Sequence, residues 1–345
     1  MSNPLRCREA PFSLHGLYRP AESGVFRRMP RDVAVRTNER VRLLHTNTAG
    51  ARLRFATDSA FIAIGAKYPP MTFSSDRTAA LCGAEAFCFD LYVDNKHSRV
   101  LWPTKTIQHG SVVSFDLEGG QYEACISFED TRMREITLCF PSFVDISELY
   151  VGLKLDSILK SAAPYKNIKP VVFYGSSITQ GACASRSGNT YQNILSRRLN
   201  FDYVNLGFAG GCHAEDAVID YVCALDMSLL VFDYDHNTPS WENLEKTHLP
   251  ALRKLRYAHP DIPILLLSKP NIHNGREEAI SRMKVIEKSY RVLKNESVAP
   301  VHFINGIDVY DSLDSEMMTV DGTHPTDLGF YCMARSLYGV LKLYF

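Results

Sequence analysis

A serine, a histidine and an aspartate stand in this chain in the company that acyl-transfer chemistry requires. The stretch VVFYGSSITQG, residues 171–181, closes an apolar run on Gly175 and two adjacent serines. A serine hydroxyl is a weak nucleophile until a base takes its proton, and that base needs a third group to hold its tautomer. Near the C-terminus, DGTHPTDLGF sets Asp321 three residues before His324 on a predicted turn. The spacing lets the carboxylate reach one imidazole nitrogen locally and leaves the other for a serine brought in by the fold. Ser177 is therefore the expected nucleophile, His324 its base and Asp321 the orienting group. Gly210 and Asn237 are candidate donors to the oxyanion, with the backbone N–H of Ser177 as a third. Glycine permits close backbone approach, and an asparagine amide offers two N–H donors.

The elements that must position these residues are legible from Val171 onward. Apolar runs at 171–174, 203–206, 229–232, 264–267 and 301–304 alternate with helical patterns, which predicts a parallel sheet covered by helices on both faces. In such sheets ligands sit beyond the carboxyl ends of the strands. Polar residues and glycines follow the first three runs there: Gly175–Ser177, then Gly207, Gly210 and Gly211, then Asp233, Asp235, His236 and Asn237. Pro325 suits the first position of the last helix. That would place His324 beside a helix N-terminus, where the dipole favours a neutral imidazole.

The texture before this is different. From about Val33 to Gly152, short alternating or β-branched runs such as ARLRFATDSAFIAIGAKY and AFCFDLYVDNKHSRVLW suit antiparallel strands of a sandwich. VDNKH reads as a hairpin turn, because Asn tolerates positive φ. The stretch SAAPYKNIKP marks a linker, so the expected domains are 1–165, a jelly-roll-like β-sandwich, and 166–345, the α/β/α unit.

Each motif has a plainer reading. A lone Gly–x–Ser or Asp–x–x–His is usually a turn or a helix cap; together, in order and at strand ends, the two carry weight. Ser176 is read as shaping the turn. Gly210 and Gly211 equally suit close helix–strand packing, and Asn237 equally begins the helix announced by Pro239 and Ser240. His236 reads as a hydrogen-bonding or rim residue. Trp241 reads either as an aromatic platform for a sugar at the pocket mouth or as a core or surface residue.

The blocks GSSITQG, NLGFAGG, YDHN and DGTHP, in this order, resemble the SGNH (GDSL-type) hydrolase family over residues 171–345. The resemblance implies a flavodoxin-like α/β/α fold and metal-independent ester hydrolysis without a cofactor, with Ser177, Asp321 and His324 matching the catalytic positions and Gly210 and Asn237 the oxyanion donors. Two positions depart from the pattern: Ser176 stands where the family has Asp, and Asp235–Thr238 replaces Gly–x–Asn–Asp. FDLYVDN looks like the β-rich N-terminal domain of some members, several of which act on acylated carbohydrates. The expected partner is thus a small-molecule or oligosaccharide acyl ester, with His236 and Trp241 as possible contacts. A lipid esterase, thioesterase or acyltransferase on the same site, and a non-catalytic sugar-binding protein, are the alternatives.

Composition narrows the classes further. The 38 basic and 38 acidic side chains cancel, which removes the electrostatic footprint of nucleic-acid binding. No apolar run is long enough for a bilayer, and MSNPLRCREAPF lacks the apolar core of a secretion signal. Nine scattered cysteines without a CxxC pair predict reduced thiols. A cytoplasmic protein is expected; a homo-oligomer is compatible with the sequence.

Overall fold

Along Gln121–Ser127 the side chains are alternately exposed and buried, the period-two signature of a strand with one face on a core. The computed structural model describes residues 5–69, 81–102, 106–109, 112–115, 120–270, 276–310 and 315–345. They divide into two units: Met1–Arg28, Thr46–Pro164 and Arg186–Gly188 form the first, and Met29–His45, Tyr165–Ser185 and Asn189–Phe345 the second. Within the stretch from about Val33 that is expected to be antiparallel strands, the first strand begins only at Arg52, because Arg31–Thr37 (α1) and Glu39–Leu44 (α2) are helical; two short antiparallel strands lie ahead of them. Val33, Ala34 and Val41 are buried in the core of the second unit. Val33 and Ala34 reach it from α1 and Val41 from α2, the two helices being separated by the extended Asn38.

The first unit is built of antiparallel sheets. One has the order β1 (Leu5–Arg6), β11 (Glu148–Leu153), β4 (Phe61–Lys67), β9 (Gln121–Ser127). The second runs β12 (Leu159–Lys160), β3 (Arg52–Thr57), β10 (Arg134–Cys139), β5 (Phe89–Val93), β6 (Lys96–Leu101), with β2 (Ser13–His15) also on β3. β7 (Thr106–His109) pairs with β8 (Val112–Phe115). Ile62, Ile64, Ile126 and Val151 of the first sheet share one core with Leu53, Phe55, Leu91 and Leu138 of the second, so the two form a β-sandwich. The turn expected at VDNKH joins β5 to β6: Asp94 and Asn95 both have positive φ, 52° and 61°, as a two-residue hairpin of this hand requires.

Asp90 and Tyr92 of β5 hold Arg186–Gly188 to this unit. Arg186 Nη1 lies 2.7 Å from Asp90 Oδ2 and also donates to the Tyr92 hydroxyl, while Gly188 N donates to Asp90 Oδ2 at 3.1 Å. Only glycine fits at 188, since a Cβ would lie 2.2 Å from the Tyr92 hydroxyl oxygen and 2.4 Å from Asp90 Oδ2.

The second unit carries a five-stranded parallel sheet in the order β14 (Tyr203–Gly207), β13 (Val171–Gly175), β15 (Leu229–Asp233), β16 (Ile264–Leu267), β17 (Val301–Ile304). All its pairings are parallel, and the strand order is that of flavodoxin-like sheets. Successive residues feed opposite faces. Val172, Tyr174, Leu230 and Phe232 enter one core with α1, α2, α6 (Asp216–Cys223), α7 (Trp241–Ala258) and α8 (Arg276–Glu296). Val171, Phe173, Leu229 and Val231 enter the other with α5 (Tyr191–Leu199) and α9 (Asp327–Leu341). This is the three-layer α/β/α arrangement that the alternating runs predict. Among the described residues no helix is long and apolar enough to cross a membrane. All nine cysteines are free thiols.

Glu85, on the short helix Gly83–Phe87 (α3), is 0 % exposed. Burial pushes its carboxyl well above the ordinary range, against a smaller opposing pull from the Ser142 hydroxyl. A carboxyl whose folded-state pKa is raised contributes most stability below its unfolded value and loses it as pH rises toward the folded one. Glu85→Gln, which keeps the shape and removes the charge, should therefore raise the unfolding temperature at pH 7–8 and change it little near pH 4. Thermal melts of both proteins across that range test this; an equal shift at both ends would refute it.

Candidate active site

Each strand of the parallel sheet delivers its polar residues at its carboxyl end. β13 ends on Gly175, Ser176 caps the four-residue helix Ser177–Gln180 (α4), and the Ser176 hydroxyl accepts from Ile178 N at 3.2 Å. Ser176 and Ile178 are both 0 % exposed; Ser177 between them is part-exposed. The position where the family has Asp is thus filled by a residue of similar capping ability. Of the adjacent serines, one is spent inside the turn and the other is presented.

The Ser177 hydroxyl lies 2.9 Å from His324 Nε2, and His324 Nδ1 lies 2.7 Å from Asp321 Oδ2. Asp321 also closes its own turn, accepting from His324 N at 2.8 Å and Thr323 N at 3.0 Å through Oδ1. Burial alone would raise its carboxyl. The His324 N–H, the imidazole and the Thr323 N–H outweigh that and hold it below the usual carboxylate range. An ionised Asp321 fixes the proton on Nδ1 and leaves Nε2 free to accept from serine.

His324 differs from expectation in its relation to the last helix. α9 begins at Asp327, with Thr326 as its cap, accepting from Gly329 N at 3.3 Å. Pro325 lies before the helix, bridged to Thr319. The threonine hydroxyl supplies the cap and so moves the helix start past the proline; His324 is held by Asp321 rather than by a helix terminus.

The candidate oxyanion residues come from the neighbouring strands. Gly210, in the loop after β14, has φ 67°, a conformation that favours glycine. Asn237 lies in the 3-10 turn Asp235–Asn237 after β15. Its Nδ2 donates to Phe208 O at 3.0 Å, which ties it to the glycine loop; the same amide carries a second N–H. Phe208 N in turn donates to Gly175 O at 2.9 Å, and Ala209 N to Gln180 Oε1 at 2.9 Å. Three strand ends are thereby laced together around Ser177.

Two further expected contacts lie elsewhere than in the open. The His236 side chain is 5 % exposed and bonded through Nδ1 to Asp235. Trp241 is the first residue of α7 and packs, partly buried, against the unit's core. Asp233, Asp235 and His236 bring one ligand-type atom each within 4.8 Å of one another. Both oxygens of Asp235 are already engaged, by His236 Nδ1 and by Lys269 N at 3.0 Å.

Residues without a motif also contribute. Lys269, just past β16, donates from Nζ to Thr323 Oγ1 at 3.2 Å, beside His324; the strand-end rule that finds Ser177 and Asn237 would also have found it. Asn38 donates to Gly211 O at 2.9 Å and caps α2. No local signal connects it to a loop so distant in sequence.

A parallel sheet in this strand order, with a serine, a histidine and an aspartate hydrogen-bonded in series at its carboxyl edge, is the architecture of an SGNH-type serine hydrolase. The model of the GDSL-like Lipase/Acylhydrolase family matches residues 168–342, and the chain belongs to that family of esterases. A model described as the N-terminus of Esterase_SGNH_hydro-type matches residues 5–159. No curated protein matches. Among solved structures, a protein described as a GDSL-like lipase from Bacteroides ovatus ATCC 8483 is 26 % identical with a TM-score of 0.82, covering 99 % of this chain and 97 % of that one. A salicylyl-acyltransferase from a tetracycline biosynthetic pathway is 18 % identical, TM-score 0.75, covering 98 % and 97 %. A family two carbohydrate esterase from Clostridium thermocellum, solved with cellohexaose, is 14 % identical, TM-score 0.61, covering 86 % and 93 %.

The two serines make separable predictions. Ser177→Ala should abolish labelling by a fluorophosphonate, whereas Ser176→Ala should keep the label and lose about 1 kcal/mol of stability, the usual worth of a helix cap. The reverse pattern of labelling would reassign the nucleophile.

Proposed function

We propose that the protein hydrolyses short acyl esters, acetyl first, on carbohydrates, through an acyl-enzyme on Ser177. The unbroken series of hydrogen bonds from Ser177 through His324 to Asp321 carries this reading. Ser177 Oγ attacks the ester carbonyl carbon while its proton passes to His324 Nε2. Negative charge collects on the former carbonyl oxygen, and the N–H groups of Ser177 and Gly210 and the second amide N–H of Asn237 are the donors assigned to it. The C–O bond to the alcohol then breaks, and His324 returns the proton to the departing oxygen. Water, deprotonated by the same imidazole, attacks the acyl carbon and releases the acid, restoring Ser177. Asp321, ionised throughout, stabilises the imidazolium formed in each half.

The carbohydrate part rests on likeness of fold to esterases that act on sugars, including the one solved with cellohexaose and an acetyl xylan esterase from Butyrivibrio proteoclasticus. One observation favours a second reading: a salicylyl-acyltransferase aligns over nearly the whole chain. There an acceptor alcohol, in place of water, would take the acyl group from Ser177. The free thiols fit a reducing compartment such as the cytoplasm.

Acetate release from a panel of acetylated oligosaccharides, with p-nitrophenyl acetate as a generic ester, tests the proposal. Sugar acetates should be cleaved, and Ser177→Ala should lower kcat by about 10³-fold or more. Cleavage of the generic ester alone would remove the carbohydrate reading, and a rate that rises with an added acceptor alcohol would favour acyl transfer.

A further inference from the structure

Arg282, in the second turn of α8, is 8 % exposed. Its Nη1 donates to Asp235 O and to Thr238 Oγ1, and its Nη2 donates to Thr238 O at 3.0 Å. The guanidinium therefore captures the carbonyls on both sides of Asn237. Its counter-charge is Glu278, 2.8 Å from Nη2, which also accepts from Arg282 Nε at 2.9 Å and from Trp241 N at 2.9 Å. The turn is held from its other side as well, by Lys269 N on the Asp235 carboxylate and by the Asn237 amide on Phe208 O.

We infer that Arg282 is a positioning residue for Asn237: its guanidinium locks the turn at residues 235–238 so that the Asn237 amide stays fixed where charge develops in the reaction. This rests on the oxyanion role proposed above for Asn237. A buried guanidinium is costly to desolvate, and carbonyl oxygens compensate it only when held in the fork's own geometry. A turn closed in this way has little freedom to reorganise. That is what a donor to a transient charge requires, since a donor that must move during the reaction forfeits most of its effect. A bond between helix and loop that merely aids folding would stabilise the protein without any link to Asn237.

A double-mutant cycle separates the two. Arg282→Lys keeps the charge but not a fork able to span both carbonyls, and Arg282→Met removes both. Rates of p-nitrophenyl acetate hydrolysis and of fluorophosphonate labelling would be measured for Arg282→Lys, Asn237→Ala and the pair, with thermal melts to establish that each is folded. Asn237→Ala should lower kcat by about 10²-fold, as loss of one oxyanion donor does. Arg282→Lys should lower kcat by about tenfold with KM nearly unchanged, an effect carried only in the transition state. The double variant should be no slower than Asn237→Ala. Arg282→Met should follow Arg282→Lys wherever it folds. Wild-type kcat in Arg282→Lys, a change confined to KM, or losses that multiply in the double variant would each overturn the inference while leaving the esterase reading intact. Wild-type kcat in Asn237→Ala would remove the oxyanion role and the inference with it. A wild-type protein that neither hydrolyses nor is labelled would remove the hydrolytic reading itself.

Discussion

No side chain fits at Gly175. A Cβ there would lie 2.1 Å from both Asp233 O and Thr179 Oγ1, and this crowding is what brings the end of β13, the start of α4 and the end of β15 into one place. Gly207 repeats the condition on β14, where a Cβ would lie 2.3 Å from Gln180 N. Two glycines at adjacent strand ends let a single helical turn sink against the sheet. The residue that emerges from that turn is Ser177. The exposure of its hydroxyl is thus produced by tight packing beneath, since Ser176 and Ile178 on either side are buried.

The same edge of the sheet holds an unusual amount of buried charge. Asp233 is 0 % exposed and Asp235 1 %. Burial pushes the Asp233 carboxyl up to about 6, against the pull of His236 and the Thr179 and Tyr191 hydroxyls. Asp235 goes the other way: burial would raise it, but His236, the Lys269 N–H and Arg282 hold it below the usual range. Two carboxylates two residues apart are thereby driven to different protonation behaviour by their neighbours. The ionised one organises the loop after β15; the other bonds to Thr179 within α4.

Much of this was legible in the residues. The five strands of the second unit were readable because each is a largely apolar run ended by glycine or polar residues; Ser177 stands out by its type at a strand end, and Asp321 and His324 by their spacing on a turn before the last helix. Asp94 and Asn95 gave the hairpin for a similarly local reason. What escaped was tertiary. α1 and α2 are short, and the core they cover is supplied by residues far along the chain, so their helical spacing was overshadowed by the β-rich texture around them. Pro325 and Thr326 are competing start signals, and the threonine prevailed because its hydroxyl bonds to Gly329 N. Arg282 and Asn38 act on backbone carbonyls of distant loops, and such targets leave no mark in sequence spacing.

The passage of Met29–His45 into the second unit has a bearing on biosynthesis. This segment lays Val33 and Val41 into the α/β core, and Asn38 reaches Gly211. A chain emerging from the ribosome thus exposes part of the second unit's apolar surface early, then must make the whole sandwich before the strands that cover it exist. Long-range closure of this kind is slow and leaves apolar surface open to aggregation. For the same reason a fragment cut at the family-model boundary, residue 168, would be an incomplete protein: it would lack the strap on which its own glycine loop rests.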